Sequence, residues 1–161
     1  MSPDHVPDTN SSCGIENAVE VRSVAGVRLS SPAVIDCRTA TRLRQWVENA
    51  AIPTFRGQGG GLAQIDIMGA YSCRTRNNVA GARLSEHSFG RALDIGGFRL
   101  GDGTRVTLLN DWNSNWGQRL RALHQAACGP FGTVLGPNAN AAHRDHFHFD
   151  TARYRSGSYC R

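Results

Sequence analysis

Period-two alternation of apolar and polar residues, the mark of a strand with one buried face, runs through Val19-Glu20-Val21-Arg22 and resumes at Val27-Arg28-Leu29. Thr39 then reads as an N-cap, and Leu43, Trp46, Val47 and Ala50 recur at helical spacing until Pro53, which is expected to stop the run. Gln58-Gly59-Gly60-Gly61 predicts a loop, after which Ile65 and Ile67 alternate with Asp66 and Met68 and lead through Gly69 to a turn at Tyr71-Ser72-Cys73-Arg74. Residues 75–91 are polar and glycine-punctuated, and a strand follows at Ala92-Leu93-Asp94-Ile95. Phe98-Arg99-Leu100 and Arg105-Val106-Thr107-Leu108 flank Gly101-Asp102-Gly103-Thr104, a hairpin signal. Trp116, Leu120, Leu123 and Ala127 mark a second helix, and Phe131 to Leu135 and His146 to Asp150 read as two final strands. Two helices and five or six strands in hairpin-like succession predict an α+β domain, with helices on one face of a small antiparallel sheet.

Composition narrows the chemistry. The chain has 161 residues, enough for one domain with a core of its own. No internal repeat or linker divides it; residues 1–12, polar and proline-rich, read as a disordered arm before a single domain over 13–161. All 18 basic residues are arginine, which excludes chemistry that needs a lysine amine: the P-loop, pyridoxal Schiff bases and Ser-x-x-Lys enzymes. A net charge of +5 suits an anionic partner, yet the arginines are scattered and form no basic stripe of the kind nucleic-acid modules carry. Nucleic acid is therefore not expected as a partner. No apolar run approaches the roughly 18 residues of a membrane span.

Five cysteines, at 13, 37, 73, 128 and 160, include no Cys-x-x-Cys pair, which disfavours a zinc ribbon or a thioredoxin-like motif. One near each end suggests disulfides made in an oxidising compartment. Joining each terminal segment to its nearest cysteine pairs Cys13 with Cys37 and Cys128 with Cys160 and leaves Cys73 over, either buried or reactive. The alternative is five reduced cysteines in a cytoplasmic protein.

Three of the six histidines fall in His143-Arg144-Asp145-His146-Phe147-His148-Phe149-Asp150. As a strand, this places His146, His148 and Asp150 on one face and Phe147 and Phe149 on the other. Imidazole and carboxylate are ligands that zinc accepts, and a catalytic zinc takes three of them and leaves a position open. Upstream, Ser85-Glu86-His87-Ser88-Phe89-Gly90-Arg91-Ala92-Leu93-Asp94 holds a histidine and an aspartate seven apart, suited to a loop that bends at Gly90 and enters a strand. Ser85 and Glu86 can orient His87 or be plain turn residues. Asp150 shares the predicted face but reads as a salt-bridge residue at the strand end, and Trp46, Trp112 and Trp116 as core.

Ser85-x-His87-x-x-Gly90-x-Ala92-x-Asp94 followed by Asp145-His146-x-His148 resembles the zinc D-Ala-D-Ala carboxypeptidase group, within the superfamily of lysostaphin-type peptidases and the hedgehog domain. Tyr71-Ser72-Cys73-Arg74, Ser85-Glu86-His87, Leu135-Gly136-Pro137 and His146-Phe147-His148 more closely resemble the bacterial extensin-like C-terminal domain. The resemblance implies a small α+β fold with a zinc ion on the sheet and peptidoglycan peptides as substrates. It makes His87, Asp94 and His148 the zinc ligands, Asp145 the acid/base that moves the proton of the attacking water, and Arg74 the cation that polarises the scissile carbonyl. It places His146 close to the ligands or the tetrahedral intermediate, and Ser85 and His143 as substrate contacts. The implied protein is a periplasmic or secreted monomer, a zinc peptidase cutting stem peptides or cross-links. An endopeptidase is favoured because the sequence offers no second arginine cluster for a terminal carboxylate. A D,D-carboxypeptidase and a non-catalytic, zinc-stabilised wall-binding module are the alternatives. A serine or cysteine hydrolase is not supported, since no Gly-x-Ser-x-Gly elbow exists.

Overall fold

The computed structural model describes residues 4–7, 12–152 and 157–161. Its strands are β1 (Asp4–Pro7), β2 (Gly14–Val24), β3 (Val27–Asp36), β4 (Leu62–Gly69), β5 (Ala92–Leu100), β6 (Arg105–Thr107), β7 (Thr133–Leu135), β8 (Phe147–Asp150) and β9 (Tyr159–Cys160). The helices are α1 (Cys37–Trp46), α2 (Ile52–Phe55), α3 (Leu108–Asp111) and α4 (Gly117–Ala127). The nine strands form one sheet, eight of them in the order β1-β2-β3-β4-β5-β8-β7-β9, with β6 pairing to β5 off this path. The α+β class is as expected, and the hairpin joining β5 and β6 pairs Phe98 with Val106 and Arg99 with Arg105. Within the stretch read as an arm, β1 pairs antiparallel with β2.

The sheet is mixed rather than antiparallel. β3 pairs with β4 in parallel, and β7 with β9 likewise. The first parallel joint follows from its connection: parallel neighbours need a crossover, and the helical segment from Cys37 to Phe55 supplies one. That segment also differs from its expected limits. Asp36, not Thr39, caps α1, its Oδ1 accepting from the Thr39 N–H at 2.7 Å. Pro53 does not end the run, because Val47–Ala51 widens into a π-helical turn, with Ile52 N–H bonding back to Val47 O, and the helix continues to Phe55. A wide turn is a known way to seat a residue that lacks an N–H.

One face of the sheet makes the core. Phe147 and Phe149 on β8 are fully buried and stack on each other. Trp46 of α1 meets Phe149 edge-on at 5.0 Å between ring centroids and donates its indole N–H to Leu123 O of α4. Phe55 of α2 packs against Phe98, and Trp112 against Phe147. Truncating such a buried aromatic costs about 3–5 kcal/mol. The strand period then leaves the alternate residues of β8, His148 and Asp150, on the opposite face.

Two disulfides are present, Cys13–Cys73 and Cys128–Cys160, and Cys37 is the exposed free thiol. The second bridge is as expected; the first corrects the pairing with Cys37. Ala18 lies opposite Asp36 in the β2/β3 ladder, so Cys13 sits five residues further along, up to about 17 Å away at about 3.4 Å per residue, out of disulfide reach of Cys37. It meets Cys73 instead, with 5.8 Å between Cα atoms. The cysteine left over is therefore Cys37, and Cys73 fastens the segment that carries Arg74.

Candidate metal centre

His87 sits in a 3-10 turn, Glu86–Phe89, capped by Ser85, whose Oγ accepts from the His87 N–H. The turn closes at Gly90 with φ of 68°, in the left-handed region, and a Cβ there would lie 2.7 Å from the buried Ile15. Both constraints ask for glycine. Ser88, fully buried, ties this turn to the Tyr71–Arg74 segment: its hydroxyl contacts the carbonyls of Ser72 and Arg74 and accepts from the Arg74 N–H. Asp94 projects from β5 and His148 from β8, directly paired in register.

The three predicted ligands come together. One donor atom from each of His87, Asp94 and His148 lies within 4.8 Å of the others, a group that could hold a metal ion. His87, 1 % exposed, donates Nδ1–H to the carbonyl of Ala70 at 2.6 Å. Its Nε2 is buried without a hydrogen bond and lies 3.2 Å from Oδ2 of Asp94. A buried ring nitrogen without a hydrogen-bond partner beside a carboxylate oxygen is a place that a metal cation would satisfy. His148 has the same division of labour: Nδ1 faces Asp94 Oδ1 at 3.2 Å, and Nε2 is held by Asp150 Oδ2 at 2.7 Å. In both histidines one nitrogen is fixed by an oxygen acceptor and the other is turned to Asp94, the arrangement that orients metal-binding imidazoles. The residues fit a metal.

Asp150 is the residue whose role the sequence understated. It is buried, its Oδ1 accepts from the Ala152 N–H, and its other oxygen holds His148. The period-two pattern did put it on the right face. Burial opposes charge on His148, but the hydrogen bonds to Asp150 and Asp94 outweigh it and push the imidazole up to about 9. Burial would raise the Asp94 carboxyl; the imidazoles of His148 and His87 outweigh it and hold Asp94 below the usual carboxylate range. Without metal, His148 is an imidazolium clasped by two carboxylates.

An open cleft of about 600 Å³ gives access to this group, lined also by Arg74, Ser85, His143 and His146 among the predicted residues. The Arg74 side chain has no hydrogen bond or ion pair among the described residues and is half-buried in the wall. Arg76, not singled out from the sequence, lines the same cleft. Asp145 does not line it. Its side chain, 45 % exposed, accepts from His146 Nδ1 at 2.8 Å, and His146 Nε2 lies 3.8 Å from Asp94 Oδ1. Asp145 thus reaches the centre through His146. His143 donates Nδ1–H to Asn140 Oδ1 at 2.7 Å, and its ring lies 5.0 Å from that of His146. Burial, with the neighbouring His146 and His148, lowers His143 to about 4 and keeps it neutral.

Among the described residues no helix is long and apolar enough to cross a membrane. The two disulfides are consistent with a periplasmic or extracellular location. Comparison with curated proteins finds no match for the chain. The family model of the extensin-like protein C-terminus matches residues 1–161, the whole chain, so the protein belongs to the extensin-like C-terminal family.

Proposed function

We propose that this chain is a zinc-dependent peptidase of the periplasm or cell exterior that hydrolyses peptide bonds in peptidoglycan stem peptides or cross-links. The observation that carries the reading is the unpaired, buried Nε2 of His87 turned towards Asp94, beside His148 and open to a cleft. Two imidazoles and one carboxylate form a three-ligand set of the kind catalytic zinc takes. A zinc ion held there would supply Lewis acidity and bring the pKa of a coordinated water from 15.7 to about 7.

The chain's own residues supply the remainder. Arg74 offers a fixed, unpaired positive charge in the wall for the oxygen on which negative charge develops. The Asp145–His146 pair takes up a proton at the ligand group and returns it to the leaving amine, with Asp145 holding the imbalance of charge on His146. Ser85 and His143 line the cleft as substrate contacts, and the net charge of +5 suits an anionic wall polymer.

An endopeptidase acting at a D-amino-acid bond is the first form of this reading. One observation bears on the second form, a D,D-carboxypeptidase: Arg76 lines the cleft together with Arg74, a second arginine that the sequence did not single out. Mass spectrometry of the released fragments separates the two. Purified protein is expected to carry about one zinc per chain, and Asp145→Ala to keep zinc and fold while losing muropeptide release. Unchanged release from Asp145→Ala would remove that residue from the proton path. A metal-free wild type with full activity would remove the reading, and a zinc-loaded protein that binds wall peptides without cutting them would favour the binding module.

A further inference from the structure

Asn140 belongs to no motif, yet it sits beside the cleft in a defined relation to His143. It directly precedes the 3-10 turn Ala141–His143 and reaches back over it. Its Oδ1 lies 2.7 Å from His143 Nδ1, and a carbonyl oxygen only accepts, so the proton of the neutral imidazole is on Nδ1. The ring packs beside His146 at 5.0 Å and meets His148 edge-on at 6.0 Å. Its other nitrogen is left as an acceptor. Among the described residues the fully buried, unpaired side-chain atoms are His87 Nε2 and Arg99 Nε. No hydrogen bond to His143 Nε2 is present among the described residues, and His143 and Asn140 both line the cleft.

We propose that Asn140 is a positioning residue that fixes the tautomer of His143, so that His143 Nε2 accepts a hydrogen bond from an N–H of the bound peptide. The cleft wall then has two complementary kinds of contact. Arg74 is a donor that serves a carbonyl oxygen, and His143 is an acceptor that serves an amide or amine nitrogen. A peptide backbone presents both groups at every bond, and an ester or a plain carboxylate lacks the N–H. The identity of the ligand rests on the peptidase reading; the tautomer does not.

Nitrogen-15 NMR of histidine-labelled full chain, with the His143 signal assigned by its loss in His143→Gln, tests the geometry. Wild type is expected to show the Nδ1–H tautomer, Asn140→Ala to move towards Nε2–H, and Asn140→Asp, which keeps an acceptor oxygen, to retain Nδ1–H. An Nε2–H tautomer in wild type, or no change in Asn140→Ala, would overturn the positioning role. On zinc-loaded enzyme with purified peptidoglycan peptides, Asn140→Ala is expected to raise KM about tenfold, the scale of one lost hydrogen bond, and Asn140→Asp to restore most of it. An unchanged KM in Asn140→Ala would overturn the contact with peptide. Absence of cleavage by wild type would remove the peptidase reading and the peptide with it, and the NMR arm would still decide the role of Asn140.

Discussion

Asp150 holds Nε2 of His148 at 2.7 Å, and both side chains stand on the same face of β8. This contact determines which nitrogen His148 offers to the centre, because the proton committed to Asp150 leaves Nδ1 for Asp94 or for a metal. Asp150→Ala is expected to lower zinc affinity about 10- to 100-fold, the usual effect of losing such a partner. Asp150→Asn, which keeps an acceptor oxygen, should lose less. Competition with a fluorescent chelator measures both, and equal affinity in all three proteins would reduce Asp150 to a cap for Ala152.

Metal uptake should release a proton. In the metal-free fold His148 is raised to about 9 from its ordinary 6.5, so its interaction with Asp150 and Asp94 stabilises the fold fully below about 6.5 and is lost as pH rises through about 9. Asp94 is shifted the other way, and its contribution begins to fall as pH drops through the ordinary carboxylate range and is lost only below it. The metal-free protein should therefore lose thermal stability between pH 7 and 10. Zinc affinity, corrected for buffer and hydroxide, should rise up to about tenfold per pH unit towards 9, as one proton is displaced. Calorimetry in buffers of different ionisation enthalpy counts that proton, and no proton release would contradict the clasped imidazolium.

The disulfides give opposite expectations for two cysteines. Cys13→Ser removes a bridge that closes a 60-residue separation and fastens the segment bearing Arg74, and is expected to cost about 2–5 kcal/mol. Cys37→Ser touches an exposed free thiol and should leave the melting temperature unchanged. Thiol titration of native protein should find one reactive group, absent from Cys37→Ser.

Gly90→Ala should destabilise on two counts. The left-handed φ of 68° disfavours any Cβ by about 1–2 kcal/mol, and the added carbon would stand 2.7 Å from Ile15. Because Gly90 ends the turn that carries His87, zinc affinity should fall together with the melting temperature. An unchanged melting temperature would contradict the packing described.

The chemistry of the centre was legible where it followed a period or a contiguous motif. Alternation along β8 separates Phe147 and Phe149, fully buried in the core, from His148 and Asp150, which share the other face and bond to each other. His87 and Asp94 lie close in sequence, and the bend at Gly90 suffices to bring them together. What escaped the sequence depends on long-range register. Cys13 meets Cys73 because the β2/β3 ladder carries it away from Cys37. The parallel joint of β3 with β4 follows from a helical crossover that Pro53 was expected to cut short. Asp145 has the predicted spacing from His148, yet local backbone direction aims it at His146 rather than into the cleft. Arg76 and Asn140 carry no signal in the chain, since only the folding of their loops brings them to the cleft wall.

Metal-dependent cleavage of wall peptides by this site is tested by digesting purified peptidoglycan with zinc-loaded wild type and with His148→Ala and identifying the soluble products by mass spectrometry. The expected result is stem-peptide fragments or released terminal D-alanine from wild type and neither from His148→Ala. Intact peptidoglycan after wild-type digestion, or the same products from both proteins, would contradict it.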